Sequence, residues 1–327
     1  MISVVVAAFN YANFLPEALD SLIAQTRRDW ECLVVDDGST DATFDVACSY
    51  AARDSRVIPM RQENRGPSAA RNLALRQARG EYVQFLDADD RLAATKLETH
   101  AAYLDSHADV DVVYGPVSFF RTELPDEILH SLDGRLSRPL MAEVSGTKDA
   151  LRKLQMFNVM PILAPLLRRG VFDRAGLFNE AVRGNEDWDL WLRAAIAGCT
   201  FQFVPASTSL AFIRTHPRSA SRSADRMVRG LIEASRSFSS PHWSGPGLPL
   251  VYEMAAGIDA VEQGGRGEGA RRIAAAARGA TSMLVRLRWS AYAAGAWVLP
   301  STGFSWLVRQ PMPEWGLEVF RKISARG

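Results

Sequence analysis

The chain has 327 residues, 47% hydrophobic and 23% charged, which excludes a disordered chain and allows one large α/β domain with an appendage, or two ordinary domains. The formal net charge of +1 conceals an asymmetry: from Arg226 onward thirteen basic residues stand against seven acidic ones, about +6, and the region before carries about −5. The two ends are therefore expected to meet different partners. Cys32, Cys48 and Cys199 are odd in number and lack metal-ligand spacing, which predicts a reducing compartment and three buried thiols. The strand-like Ile2 to Val6, with no basic leader or cleavage site, predicts no secretion.

In chain order, Ile2 to Ala7 reads as a buried strand and Pro16 to Ile23 as a helix with proline in its first turn. Cys32 to Val35 is the next strand. It stops at Asp36-Asp37-Gly38-Ser39-Thr40-Asp41, where Ser39 or Thr40 is placed to cap a helix running to about Ala52. Val57 to Met60 forms a third strand, and Asn64 to Ser68 leads into a helix from Ala69 to Arg79, closed by Gly80. A fourth strand, Val83 to Leu86, ends in Asp87, Asp89 and Asp90. This alternation predicts a mostly parallel sheet with right-handed crossovers, whose ligands bind beyond the carboxyl ends of the strands.

Beyond it, the pattern gives a helix from about Thr95 to Ser106 and one strand from Val112 to Phe119. Residues 121–146 are weakly patterned and are expected to form a mobile excursion over the site. Met160 to Leu167 reads as a strand, Val171 to Ala175 as a short helix, Glu186 to Ile196 as a clear one. Phe201 to Val204 and Ser209 to Arg214 read as strands, and Thr215 to Ser221 as an irregular loop. From about Ser223 the sequence turns helical and basic, with a Gly/Pro-rich linker at about 239–249. The expected division is a catalytic domain over 1–222 and a helical basic extension over 223–327.

Three carboxylates within four residues repel one another, so a merely polar turn would more cheaply use Asn, Gly or Ser. A bound Mg²⁺ or Mn²⁺ removes that cost, because hard cations take carboxylate and phosphate oxygens. An acidic surface turn is the competing reading.

Val4 to Asn10, Val34 to Asp41, Asn64 to Asn72, Leu86 to Asp90 and Asn185 to Arg193 together resemble family 2 glycosyltransferases over about residues 1–220. The resemblance implies a GT-A fold, Rossmann-like with helices flanking a mostly parallel sheet, and inverting transfer from a nucleotide-activated sugar with Mn²⁺ or Mg²⁺. Matched motif by motif, it implies Asp187 as the catalytic base. Ala7, Phe9, Asn10, Asp37, Arg71, Asp87, Asp89, Glu186 and Trp188 become the donor-binding set, and Asp89, Asp90 and His216 the metal set. Which of the three clustered aspartates binds metal stays open. Many members have Pro at position 8 and Tyr at position 9; Phe9 stacks but cannot hydrogen-bond, so the base is unassigned, with UDP-sugars favoured. The first turn of its helix is expected to keep Asp187 ionised. Trp188 and Trp191 can stack on a sugar or pack in the core. His216 lies in a segment where Arg214, Arg218 and Ser221 are candidate phosphate contacts.

From Gly269 onward there are nine basic and two acidic residues, and Trp289 to Val308 contains no charge. That run is too poor in apolar residues for a span, which leaves two readings for residues 280–327: an interfacial contact with an anionic membrane, or helices packed on the catalytic domain. The expected enzyme adds one sugar to a glycan acceptor, most simply a lipid-linked one, in bacterial surface polysaccharide synthesis, on the cytoplasmic side and without nucleic acid. Its rivals are a sugar-1-phosphate nucleotidyltransferase, which would need a Gly-rich basic loop after the first strand, and a non-catalytic glycan- or nucleotide-sugar-binding protein. A dinucleotide-dependent dehydrogenase is disfavoured because no Gly-x-Gly-x-x-Gly follows a strand.

Overall fold

The computed structural model describes residues 1–130, 141–206, 210–216, 224–238, 249–280 and 283–298. The first four strands and three helices alternate as their periodicity requires: β1 (Ile2–Ala8), α1 (Leu15–Ile23), β2 (Trp30–Asp36), α2 (Thr43–Ala51), β3 (Val57–Arg61), α3 (Pro67–Gln77) and β4 (Tyr82–Phe85). Each neighbouring pair of these strands is parallel, with Ile2 opposite Trp30 and Tyr82, and Ala8 opposite Asp36. Every residue of β2 and all but Ala7 of β1 are buried, because helices cover both faces of a parallel sheet. Each fully buried Val or Leu contributes roughly 1.5–3 kcal/mol.

The chain continues through β5 (Arg91–Leu92), α4 (Lys96–Ser106), β6 (Val112–Tyr114), β7 (Val117–Arg121), β8 (Leu124–Leu129), α5 (Gly146–Leu154) and β9 (Pro165–Arg168). There follow α6 (Gly170–Ala175), α7 (Glu186–Ile196), β10 (Phe201–Phe203) and β11 (Ala211–Thr215). The main sheet has the order β10-β6-β9-β4-β1-β2-β3, and β9 runs antiparallel to both its neighbours. A second sheet, β5-β11-β7-β8, stands beside the carboxyl edge of the first.

Several expectations need correction. The strand foreseen from Val112 to Phe119 breaks at Gly115-Pro116 and serves two sheets, since proline cannot donate to a ladder. The strand foreseen at Met160 begins only at Pro165, because the backbone turns back with Ala164 N donating to the Pro161 carbonyl at 3.0 Å. Part of the excursion over 121–146 is ordered as β8, paired with β7; residues 131–140 lie outside the described ones. Thr215 ends β11 and is not loop, while 217–223, with Arg218 and Ser221, lie outside the described residues. Neither Ser39 nor Thr40 caps α2; Thr43 N donates instead to Asp41 Oδ1 at 3.0 Å. α3 ends at Gln77, and Gly80 serves a different need, since a Cβ there would lie 2.4 Å from Ser3 N. Cys32 and Cys199 are buried but Cys48 is exposed.

The described part of the extension is helical: α8 (Ala224–Ser237), α9 (Leu250–Glu262), α10 (Arg266–Gly279) and α11 (Met283–Val298). Trp289, Tyr292 and Ala296 of α11 are buried, so these three side chains pack inward. Among the described residues no helix is long and apolar enough to cross a membrane. The linker expected at 239–249 falls, but for its last residue, outside the described residues, as does everything from 299 onward.

Candidate active site

The carboxyl ends of β1, β2 and β4 form one edge, fixed by Asp37 N donating to the Ala8 carbonyl at 2.8 Å and Leu86 N to the Val5 carbonyl at 3.0 Å. Asp37 is buried there and accepts three hydrogen bonds: Gln62 Nε2 at 2.7 Å and Arg65 N at 2.9 Å on Oδ1, and Gly66 N at 2.8 Å on Oδ2. A carboxylate has about four acceptor positions, so one on Oδ2 is left for a ligand N–H. Gln62, which no motif flagged, thus anchors the loop that opens α3. Asn10, at φ 58°, ties the first loop to the second by donating its N–H to Ser39 Oγ at 2.9 Å and accepting from Thr40 N at 2.9 Å. Phe9 is 43% exposed, an unusual setting for a phenyl ring and one that leaves its face open to a ligand, while Ala7 is half-buried beside it.

One turn into α3, Arg71 reaches in two directions. Its Nη2 donates to Asp87 Oδ1 and its Nη1 to Glu186 Oε1, both at 2.8 Å, and its guanidinium lies 5.5 Å from the centre of the Phe178 ring. Burial opposes its charge, but the carboxylates of Asp87 and Glu186 outweigh burial and raise its pKa. A single side chain therefore joins the acid turn after β4 to the first turn of α7. Asn72, in the same motif, fixes the approach to α7 by donating to the Phe178 carbonyl at 2.9 Å and accepting from Phe178 N at 2.9 Å.

The acid turn itself is tight, with Asp90 N donating to the Asp87 carbonyl at 3.1 Å. Burial, then the neighbouring acids, raise the pKa of both Asp89 and Asp90. Asp89 Oδ2 lies 3.0 Å from His216 Nε2, and the His216 ring stacks on Phe14 at 5.2 Å. Asp90 Oδ1 accepts from Arg214 N at 2.8 Å, and Arg214 Nε donates to the Asp89 carbonyl at 2.8 Å. Arg214 is buried and also bonds Glu17. It is thus a brace for the acid turn, not an open phosphate contact, and Glu17 is a partner that the sequence did not signal. Among the described residues no three His, Cys, Asp or Glu side chains form a ready-made cation cage. The donor set still fits a hard cation completed by ligand oxygens: carboxylates crowded together with raised pKa values, and an imidazole against one of them. Asp89 and His216 would hold it, with Asp87 and Asp90 alongside.

Asp187 opens partly to solvent in the first turn of α7. Asn158 Nδ2 donates to its Oδ2 at 3.1 Å and Trp188 N to its Oδ1 at 2.7 Å. The helix terminus was expected to keep this group ionised; burial, then Glu186, push its pKa up to about 7 against the opposing help of Trp188 N, Asn158 and Arg71. Asn158 sits in a segment without a local pattern, so nothing in the sequence singled it out. Trp188 and Trp191 are both buried and donate their indole N–H to the carbonyls of Leu154, at 2.7 Å, and Met160, at 3.2 Å. Packing accounts for both rings.

A sheet of this order, with clustered acids and one bridging arginine at its carboxyl edge, is of the GT-A class. Within that class the chain belongs to glycosyltransferase family 2: residues 3–163 match the family model described as Glycosyl transferase family 2. It is 34% identical over 195 residues to a PGL/p-HBAD biosynthesis glycosyltransferase of Mycobacterium bovis, covering 59% of this chain and 69% of that one. Other curated relatives are longer, and the chain spans 30% of a Rickettsia felis glycosyltransferase and 54% of EpsJ of Bacillus subtilis. The fold is that of Staphylococcus aureus TarS 1-349 in complex with UDP, at TM-score 0.64 and 18% identity over 96% of this chain and 92% of that one. It is shared with the mannosyltransferase PcManGT of Pyrobaculum calidifontis in complex with GDP-Man and Mn²⁺, at TM-score 0.53 and 22% identity over 94% and 85%.

Proposed function

We propose that this chain is an inverting glycosyltransferase that moves one sugar from a nucleotide-diphosphate sugar, a UDP-sugar by preference, to a hydroxyl of a lipid-linked glycan in bacterial surface polysaccharide synthesis. The observation that carries the reading is the placement of Asp187: a partly exposed carboxylate in the first turn of α7, oriented by Asn158 and next to the Glu186 that Arg71 ties to the acid turn, with its pKa pushed up to about 7. A base with that pKa accepts the acceptor's proton near neutral pH, as general-base catalysis requires, a contribution of about 10²- to 10⁴-fold. Arg71 holds Glu186 and Asp87 at 2.8 Å each, so the base and the acid turn keep one separation across the reacting bond.

On the donor side, Phe9 offers its face to the base and Asp37 its remaining acceptor position. Ala7 and Asn10 shape the same pocket, and Asp87, Asp89 and Glu186 line the diphosphate side. A Mn²⁺ or Mg²⁺ at Asp89, Asp90 and His216 would neutralise the charge that builds on the departing diphosphate. The nucleotide complexes of the fold neighbours and the Mn²⁺ of PcManGT support this assignment. Residues 1–222 form the catalytic unit and 223–327 an extension whose basic end, over 280–327, rests against anionic lipid at the inner face of the membrane. Reducing conditions and a nucleotide-sugar donor fit a cytoplasmic location.

The test is Asp187→Asn. Nucleotide binding, followed by calorimetry with UDP and Mn²⁺, should be retained, while transfer falls at least 10²-fold. In the unaltered chain, turnover should drop as pH falls through about 7, because protonation removes the base. Undiminished transfer by the asparagine variant would remove the assignment.

A further inference from the structure

The helical extension reaches the catalytic unit at a telling place. In α8, Gly230 lies so close to Gly184 that a Cβ would fall 1.8 Å from the Gly184 carbonyl oxygen. One turn further along α8, Glu233 Oε2 accepts from Arg183 N at 2.7 Å. From α9, the fully buried Tyr252 hydroxyl donates to Asp189 Oδ1 at 2.5 Å, and Arg193 Nε holds the other oxygen of that carboxylate at 2.9 Å. The edge of the Tyr252 ring is set by Phe238, with ring centres 4.9 Å apart.

These contacts bracket one short stretch. Gly184 and Arg183 precede it, Asp189 ends it, and between them lie Asn185 in the left-handed region at φ 57°, Glu186 and Asp187. Residues two apart on a helix project about 200° from one another, so Asp189 is gripped on the face of α7 opposite the one that carries Asp187. Asparagine adopts this left-handed region more readily than other side-chain-bearing residues, and here it turns the chain sharply into α7. The extension holds the chain on either side of that turn.

We propose that Tyr252 and Gly230 are positioning residues for Asp187, and that the extension is a clamp holding the base-bearing turn in its reactive geometry. This rests on the reading of Asp187 as the base. The groups facing Asp187 are Glu186 on its own helix, Arg71 from α3 and Asn158 from the segment after α5, so a loosened turn changes its distance from all three.

The experiment uses the full chain with Tyr252→Phe, which deletes one hydroxyl and keeps the ring. A second variant, Ile273→Val, serves as control, because it weakens α9–α10 packing without touching α7. Backbone amide exchange over 183–189 should accelerate at least tenfold in Tyr252→Phe and not in Ile273→Val at equal loss of Tm. The Asp187 carboxyl titration, followed by ¹³C NMR and assigned by its loss in Asp187→Asn, should move below its unaltered midpoint only in Tyr252→Phe. Equal exchange and equal titration in Tyr252→Phe and the control would overturn the clamp. Retained turnover in Asp187→Asn, by contrast, would overturn the base assignment and leave the clamp measurement standing as fact about the fold.

Discussion

Two turns at the same edge of the sheet use the same amino acid in opposite ways. After β2, Asp36 and Asp37 are compensated from within: Asp37 takes three donors and Asp36 faces Arg61 Nε at 3.0 Å. After β4, Asp90 is buried and Asp89 half-buried beside it, with pKa values raised by burial and by the neighbouring acids. A carboxylate with most of its acceptor positions taken by amides holds its loop in place. Acids crowded together with raised pKa values favour a positive partner.

Three changes press on that contrast. The strongest is at the second turn: Asp89→Ala with Asp90→Ala should lower Mn²⁺-stimulated UDP affinity by about 10²-fold or more, since a cation on a diphosphate contributes several kcal/mol. Calorimetric titration with and without Mn²⁺ reads it, and metal stimulation surviving in that variant would erase the distinction between the turns. Next, Asp37→Ala should destabilise the fold by about 2–3 kcal/mol, because three part-buried donors from Gln62, Arg65 and Gly66 lose their acceptor at once. Urea unfolding measures it, and the first turn is not architecture if stability stays within error. Smallest is Arg61→Ala. Its side chain is 51% exposed but that of Asp36 is 1% exposed, so losing the pair should cost about 1–2 kcal/mol and leave nucleotide affinity unchanged.

The contrast was only half legible from the chain. Strands β1 to β4 announce themselves because each is a short continuous apolar run closed by turn residues, and their order follows from local crossovers. The acid turn, Arg71 and the α7 acids stand in contiguous motifs, so their types and spacing carry over directly into the edge that Arg71 bridges. What could not be read depends on distant pairing. β5 has two residues, β11 pairs in parallel with β7 across the whole middle of the chain, and Arg214 meets Asp90 only through that pairing. Strand direction is likewise absent from composition, so β9 looks like any apolar run although it lies antiparallel to β4 and β6. The Asp187 environment failed for a related reason. Helix position argues for ionisation, but burial is a tertiary property and it wins.

The place of β9 has a consequence for how the molecule is made. Tyr82 pairs with Arg168 and Val112 with Leu167, so the centre of the sheet is filled by a segment synthesised long after both its flanks. Until it arrives, β4 presents an unsatisfied backbone edge made of apolar residues, the kind of surface that recruits other nascent chains. Biogenesis therefore has a vulnerable interval bounded by the emergence of β4 and of β9, during which a chaperone, or the β1–β3 subassembly's own speed of folding, decides between a native sheet and aggregation.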